Sequence, residues 1–169
     1  MSQLKFIFVI LFIPAISFSQ KIKVNEIDKF TKKKRIETSY SYLKMGLFQY
    51  LGANIRSADS SIFINIQGSG AGSFVIGTDD PVIFLLDNDS TIKIFPTDIQ
   101  TYSIGIGSSR DTYSHQYYIS LSDLKTLSNH NIKSVRKHGS SSYVDIDINE
   151  KNQDEFKKNA LLFLKEFEK

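Results

Sequence analysis

Three glycines fall within Gln67-Gly-Ser-Gly-Ala-Gly-Ser-Phe74, dense enough to raise the question of a loop that cradles a phosphate. A dinucleotide fingerprint spaces its glycines G-x-G-x-x-G and leads from a strand into a helix. Here the third glycine comes one residue early, and Ser73-Phe-Val-Ile-Gly77 has the composition of a strand. A P-loop needs Gly-Lys followed by Ser or Thr, which this stretch lacks. With no helix N-terminus there is neither the dipole nor the fan of amides that holds a phosphate. The stretch reads as a flexible connection.

Other chemistry-bearing clusters reduce to ordinary structure in the same way. Asp145-Ile-Asp-Ile-Asn-Glu150 opens like a calcium loop, but an EF-hand has Gly at its sixth position and Glu at its twelfth, where this chain has Glu150 and Phe156. Alternation puts Val144, Ile146 and Ile148 on a core face and the aspartates toward water. His115, His130 and His138 show no ligand spacing, and His115, sharing a strand face with Tyr113 and Tyr117, reads as a rim residue. No Gly-x-Ser-x-Gly elbow occurs, and the carboxylate pairs sit in turns, where Asp is expected for backbone reasons. The basic run Thr31-Lys-Lys-Lys-Arg35 joins two predicted strands, 22–30 and 36–43, and guards a sheet edge. It lacks the aromatic platform of a nucleic-acid site. No catalytic residue, metal site or cofactor is assigned.

One placement follows from chain order. If the strands between residues 47 and 120 run up and down in sequence, alternate turns share an end. That end gathers the glycine loop 68–73, the turn Asp87-Asn-Asp-Ser90 and the loop Gly107–Thr112. Long loops on a rigid sheet are where binding residues concentrate, so Asp87, Arg110, Asp111 and Tyr113 are the candidate ligand-binding residues.

The elements that must hold such a site are mostly strands. Ile62, Ile64 and Ile66 alternate with polar neighbours, as do Ile92 and Ile94, Tyr102, Ile104 and Ile106, and Tyr117, Ile119 and Leu121. Val82-Ile-Phe-Leu-Leu86 is apolar throughout, the pattern of a strand covered on both faces. Turn signals at Ser57-Ala-Asp-Ser60, Thr78-Asp-Asp-Pro81 and Asp87-Asn-Asp-Ser90 separate these runs at intervals suited to an antiparallel meander. Residues 132–138 and 142–149 read as a hairpin. Ser122 is expected to cap a short helix (122–128), and Asn152-Gln-Asp-Glu155 is a capping-box pattern opening a C-terminal helix (152–168). The latter carries Phe156, Ala160, Phe163, Leu164 and Phe167 as one stripe. The predicted fold is α+β: a mostly antiparallel sheet curled into a barrel or sandwich, with the C-terminal helix packed on it.

The ends of the chain suggest where such a domain works. Lys5, the apolar run Phe6–Ile13 and Ser17-Phe-Ser19 form a charged region, a short apolar region and a small-x-small cleavage site. Residues 1–19 are therefore expected to be a signal peptide, too short to span a bilayer, with 20–169 a single domain that keeps no membrane anchor. The chain has no cysteine, so no disulfide, cysteine-based zinc site or lipid-bearing cysteine is available. Its formal net charge of +3 favours neither nucleic acid nor an acidic surface.

Together, "SFSQ", "FTKKKRIETSYSYL", "LLDNDSTIKIF", "YYISLSDLKTL" and "SSYVDIDINEKNQDEFKKNALLFLKEF" resemble the uncharacterised small exported proteins common in the Bacteroidota. That resemblance implies a periplasmic or extracellular placement and no functional residues. The sequence thus leads to an exported, non-enzymatic binding or interaction module of the cell envelope, its partner an unidentified small molecule or envelope protein. An envelope hydrolase with its active residues on separate strands, or a structural protein pairing through a sheet edge, is the alternative.

Overall fold

The computed structural model describes residues 20–46, 50–69, 75–101, 112–139 and 142–169. The expected signal peptide, the alternation at Tyr102, Ile104 and Ile106, and the candidates Arg110 and Asp111 lie outside these residues.

Among the described residues ten strands form one sheet. In chain order they are β1 (Ile22–Ile27), β2 (Lys34–Thr38), β3 (Ser41–Met45), β4 (Tyr50–Ala58), β5 (Ser61–Ser69), β7 (Val82–Leu86), β8 (Thr91–Pro96), β10 (Thr112–Ile119), β11 (Ile132–Gly139) and β12 (Ser142–Asp147). The short strands β6 (Val75–Ile76) and β9 (Gln100–Thr101) pair separately. The sheet order is β1-β2-β4-β5-β10-β8-β7-β11-β12, with β3 continuing β2 along β4, and every pairing is antiparallel. Among the described residues β1 and β12 are not joined, so the sheet is open and curled, not a closed barrel.

Local chemistry explains the connections. The β4–β5 hairpin turns on Asp59 and Ser60, both with positive φ (52° and 74°), the mirror-image turn whose twist matches the flanking strands. At the β1–β2 turn the Asp28 carboxylate accepts from the backbone amides of Phe30 and Thr31, so the basic run sits on a braced hairpin.

Helix α1 (Leu121–Asn129) starts one residue before the expected Ser122 cap. Ser120 is the cap, its Oγ accepting from Asp123 N at 3.0 Å. Helix α2 (Glu155–Phe167) is shorter than the predicted 152–168, because Asn152 closes a 3₁₀ turn (Glu150–Asn152) instead. The Asn152 amide that would have capped the helix donates to Leu43 O on β3 at 3.3 Å. Further bonds tie α2 to the bend between β2 and β3, from Ser41 Oγ to Glu155 O and from Asn159 Nδ2 to Ser39 O.

Helix α2 buries Phe156, Ala160, Phe163 and Leu164, each large side chain contributing about 1.5–3 kcal/mol. Phe156 stacks on Phe84 of β7, 6.1 Å between centroids. Around them lie Ile62, Ile64 and Ile66 of β5, Ile92 and Ile94 of β8, and Leu124 and Leu127 of α1. Val82, Phe84 and Leu86 are buried while Ile83 and Leu85 are half-buried, so β7 keeps a partly open second face. Val144, expected on the core face, is 51% exposed because β12 ends the sheet with no strand beyond it.

Candidate functional site

Strand β10 alternates Tyr113, His115, Tyr117 and Ile119 onto the core face, opposite Gly68, Ile66, Ile64 and Ile62 of β5. Toward α1 this face is aliphatic. At the other end, where β5 finishes and β10 begins, it becomes polar. His115 is 2% exposed and so belongs to the core; the rim position expected for it is corrected, since its strand face is the one the curled sheet closes over.

The fourth member comes from β11. A register shift between Ile132 and Ser134 in its pairing with β7 changes which residues face inward, so that Val135 and Lys137 follow Ile132 into the interior while Arg136 stays outside. Lys137 is 6% exposed. In a flat sheet the three steps from β10 through β8 and β7 to β11 would span about 14 Å. The curl brings Lys137 Nζ to 3.3 Å from the centroid of the Tyr113 ring. The Tyr113 and His115 rings lie 5.7 Å apart and the His115 and Tyr117 rings 6.0 Å apart, with His115 Nδ1 3.2 Å from the Tyr117 hydroxyl.

Gly68 makes room for this packing. A Cβ built there would stand 2.3 Å from the Tyr113 hydroxyl oxygen and 2.5 Å from the ring carbon bearing it. The phenol therefore lies against the bare backbone of β5, a close approach that only glycine permits.

Burial dominates the electrostatics. It pulls the Lys137 amine down to about 7 and the His115 imidazole down to about 3, the nearby Lys137 charge adding to the latter. It pushes the Tyr113 phenol up to about 12, with Tyr50 adding to the shift, and raises Tyr117 further. Near neutral pH the cluster thus holds a neutral imidazole, two neutral phenols and an amine poised between its charged and neutral forms. Such a group can present a positive charge to an anion, or accept a proton, without leaving the interior.

Of the four sequence candidates, Tyr113 belongs to this cluster. Arg110 and Asp111 lie outside the described residues. Asp87 sits at the opposite end of the sheet, where β7 ends, and not with Tyr113. Its carboxylate accepts from His130 Nδ1 at 2.9 Å and from Asn131 N at 3.0 Å, clamping the β7–β8 turn to the start of β11. The Asn131 amide, then the His130 bond, hold its pKa below the usual carboxylate value. Strict up-and-down order fails because β6 pairs with β9 away from the main sheet, so β7 starts at the end where β5 stops. Among the described residues no group of three His, Asp or Glu side chains could hold a metal.

Lys137 was the residue that sequence reasoning missed. Its signal was the pair Val135 and Lys137 on one strand face, obscured because Ile132 falls out of step with them. No protein-family model, curated protein or solved structure matches this chain.

Proposed function

We propose that the protein is an exported binding module of the cell envelope, and that its ligand is a small molecule whose acidic group takes the Lys137 ammonium as counter-charge. Tyr113, Tyr117 and His115 then supply the neutral polar walls that orient it. The observation that carries this reading is the composition of the cluster: an amine, an imidazole and two phenols gathered at one end of an otherwise largely apolar core. Burying such groups is costly, and apolar side chains of similar volume would hold the fold better. Departures of that kind concentrate at functional sites. The export signal read in residues 1–19 supports the placement.

Native mass spectrometry on protein recovered gently from its host's envelope fraction tests this reading. A reproducible small-molecule adduct on the wild type, lost in Lys137→Met, is expected. A bare wild-type protein, or an adduct that survives the substitution, contradicts it.

A further inference from the structure

The face of the sheet turned away from the helices carries a second pattern, independent of the interior cluster. Strands β4, β5, β8 and β10 place two charged side chains on it among the described residues, Arg56 opposite Phe63 and Lys93 two residues before Phe95. Between them stand aromatic rings and carboxamides.

The rings form a row. Tyr118 of β10 is directly opposite Phe63 of β5 on one side and Phe95 of β8 on the other. The rings of Phe63 and Tyr118 meet edge to face, centroids 6.3 Å apart. Tyr118 is 55% exposed and Phe95 46%. Three adjacent strands put this row across about 10 Å of surface. Single exposed apolar side chains are ordinary, but a contiguous set marks an interaction surface. One rung along, about 7 Å away at two residues per rung, Asn65 of β5 is opposite Gln116 of β10. The next rung, Gln67 opposite Ser114, is already bonded within the chain, to the Tyr50 and Tyr40 phenols. Each carboxamide offers both donors and an acceptor.

We propose that this aromatic and amide face binds an uncharged polysaccharide, its sugar rings stacked along Phe63, Tyr118 and Phe95 and its hydroxyls bonded to the carboxamides of Asn65 and Gln116. The match is one of charge and shape. The C–H groups on a pyranose face carry small positive charges that meet the negative face of an aromatic ring. Hydroxyls need partners that donate and accept, which carboxamides do and ammonium or carboxylate groups do not. Arg56 and Lys93 stand at opposite ends of the row and make no continuous cationic track of the kind an anionic polymer would seek.

Affinity gel electrophoresis tests the proposal with four named probes: laminarin, xyloglucan and hydroxyethylcellulose as neutral polymers, and alginate as the anionic one. The expected result is retardation of the full exported domain by at least one neutral polymer and none by alginate. Tyr118→Ala and Phe95→Ala should each weaken that retardation about ten-fold. Phe30→Ala, at an 82% exposed aromatic on the β1–β2 turn, should leave it unchanged. Thermal unfolding of each variant separates lost binding from lost fold, and these exposed rings can be truncated without opening the core. No retardation by any neutral polymer, retardation by alginate alone, or an effect of Phe30→Ala equal to that of Tyr118→Ala overturns the proposal.

Discussion

The amine of Lys137 lies 3.3 Å from the centre of the Tyr113 ring, across the interior of the sheet from β11 to β10. Neither residue is a sheet neighbour of the other, and the contact exists only because the sheet curls. It makes a titratable group part of the core at the end of the sheet where β10 begins, and the first predictions concern the cost of keeping it there.

Replacing Lys137 with Met removes the desolvated amine and keeps a flexible chain of similar volume. The account expects Lys137→Met to be more stable than the wild type near neutral pH, by on the order of a few kcal/mol. Urea unfolding at pH 7 measures this directly. A strongly destabilised variant would mean that Lys137 is there to hold the fold.

The same group gives stability a pH dependence of definite sign. In the unfolded chain Lys137 binds its proton below its ordinary value of 10.5, in the folded protein only below about 7. Between those values the unfolded state holds the extra proton, so stability rises as pH increases from 7 toward 10, by up to about 1.4 kcal/mol per pH unit. His115 acts in the same direction lower down, since its folded value of about 3 lies below the ordinary 6.5. Acidification from 6.5 toward 3 therefore costs stability. Urea midpoints at pH 7, 8 and 9 should show the advantage of Lys137→Met shrinking steadily.

Gly68→Ala should destabilise by about 1–3 kcal/mol, although alanine is ordinarily the better strand residue by roughly 0.5–1 kcal/mol. The new methyl meets the Tyr113 phenol at a distance no contact tolerates. Removing that phenol as well, in Gly68→Ala with Tyr113→Ala, should make the glycine substitution nearly neutral. A double-mutant cycle checks the coupling; additive effects would mean that the two residues do not meet.

Asp87→Ala should loosen the joint between the β7–β8 turn and β11 by about 1 kcal/mol or less, the worth of an exposed clamp. It should leave ligand binding at Lys137 intact, because the two sit at opposite ends of the sheet. Comparing adduct retention in Asp87→Ala and Lys137→Met separates the two roles.

Much of the fold can be read from local pattern. Ile62, Ile64 and Ile66 alternate as a half-buried strand must, and the stripe from Phe156 to Leu164 marks the helix that covers it. The errors arise where a side chain has two possible partners. Asn152 looks like a helix cap, yet its amide binds the β3 carbonyl of Leu43, and Ser120 takes the capping place expected of Ser122. Tyr113 could be named as a site residue from its position beside a loop. Lys137 could not, because its inward orientation depends on a register shift near Ile132 and its contact with Tyr113 on curvature summed over four strands. The first leaves only the broken alternation between Ile132 and Val135, and the second leaves no mark on nearby residues. Asp87 was misplaced for a related reason: counting turns assumes that every short strand crosses the sheet, and β6 does not.

The central claim is that the Lys137 amine is the charge that meets an acidic ligand. NMR titration of its side-chain Cε and Nζ signals, in wild-type protein before and after addition of the small-molecule fraction of the host envelope, tests it most directly. The account predicts a midpoint near 7 in the free protein, moving upward once an anion binds beside the ammonium. A midpoint near 10.5, or one that does not move on addition of that fraction, would contradict it.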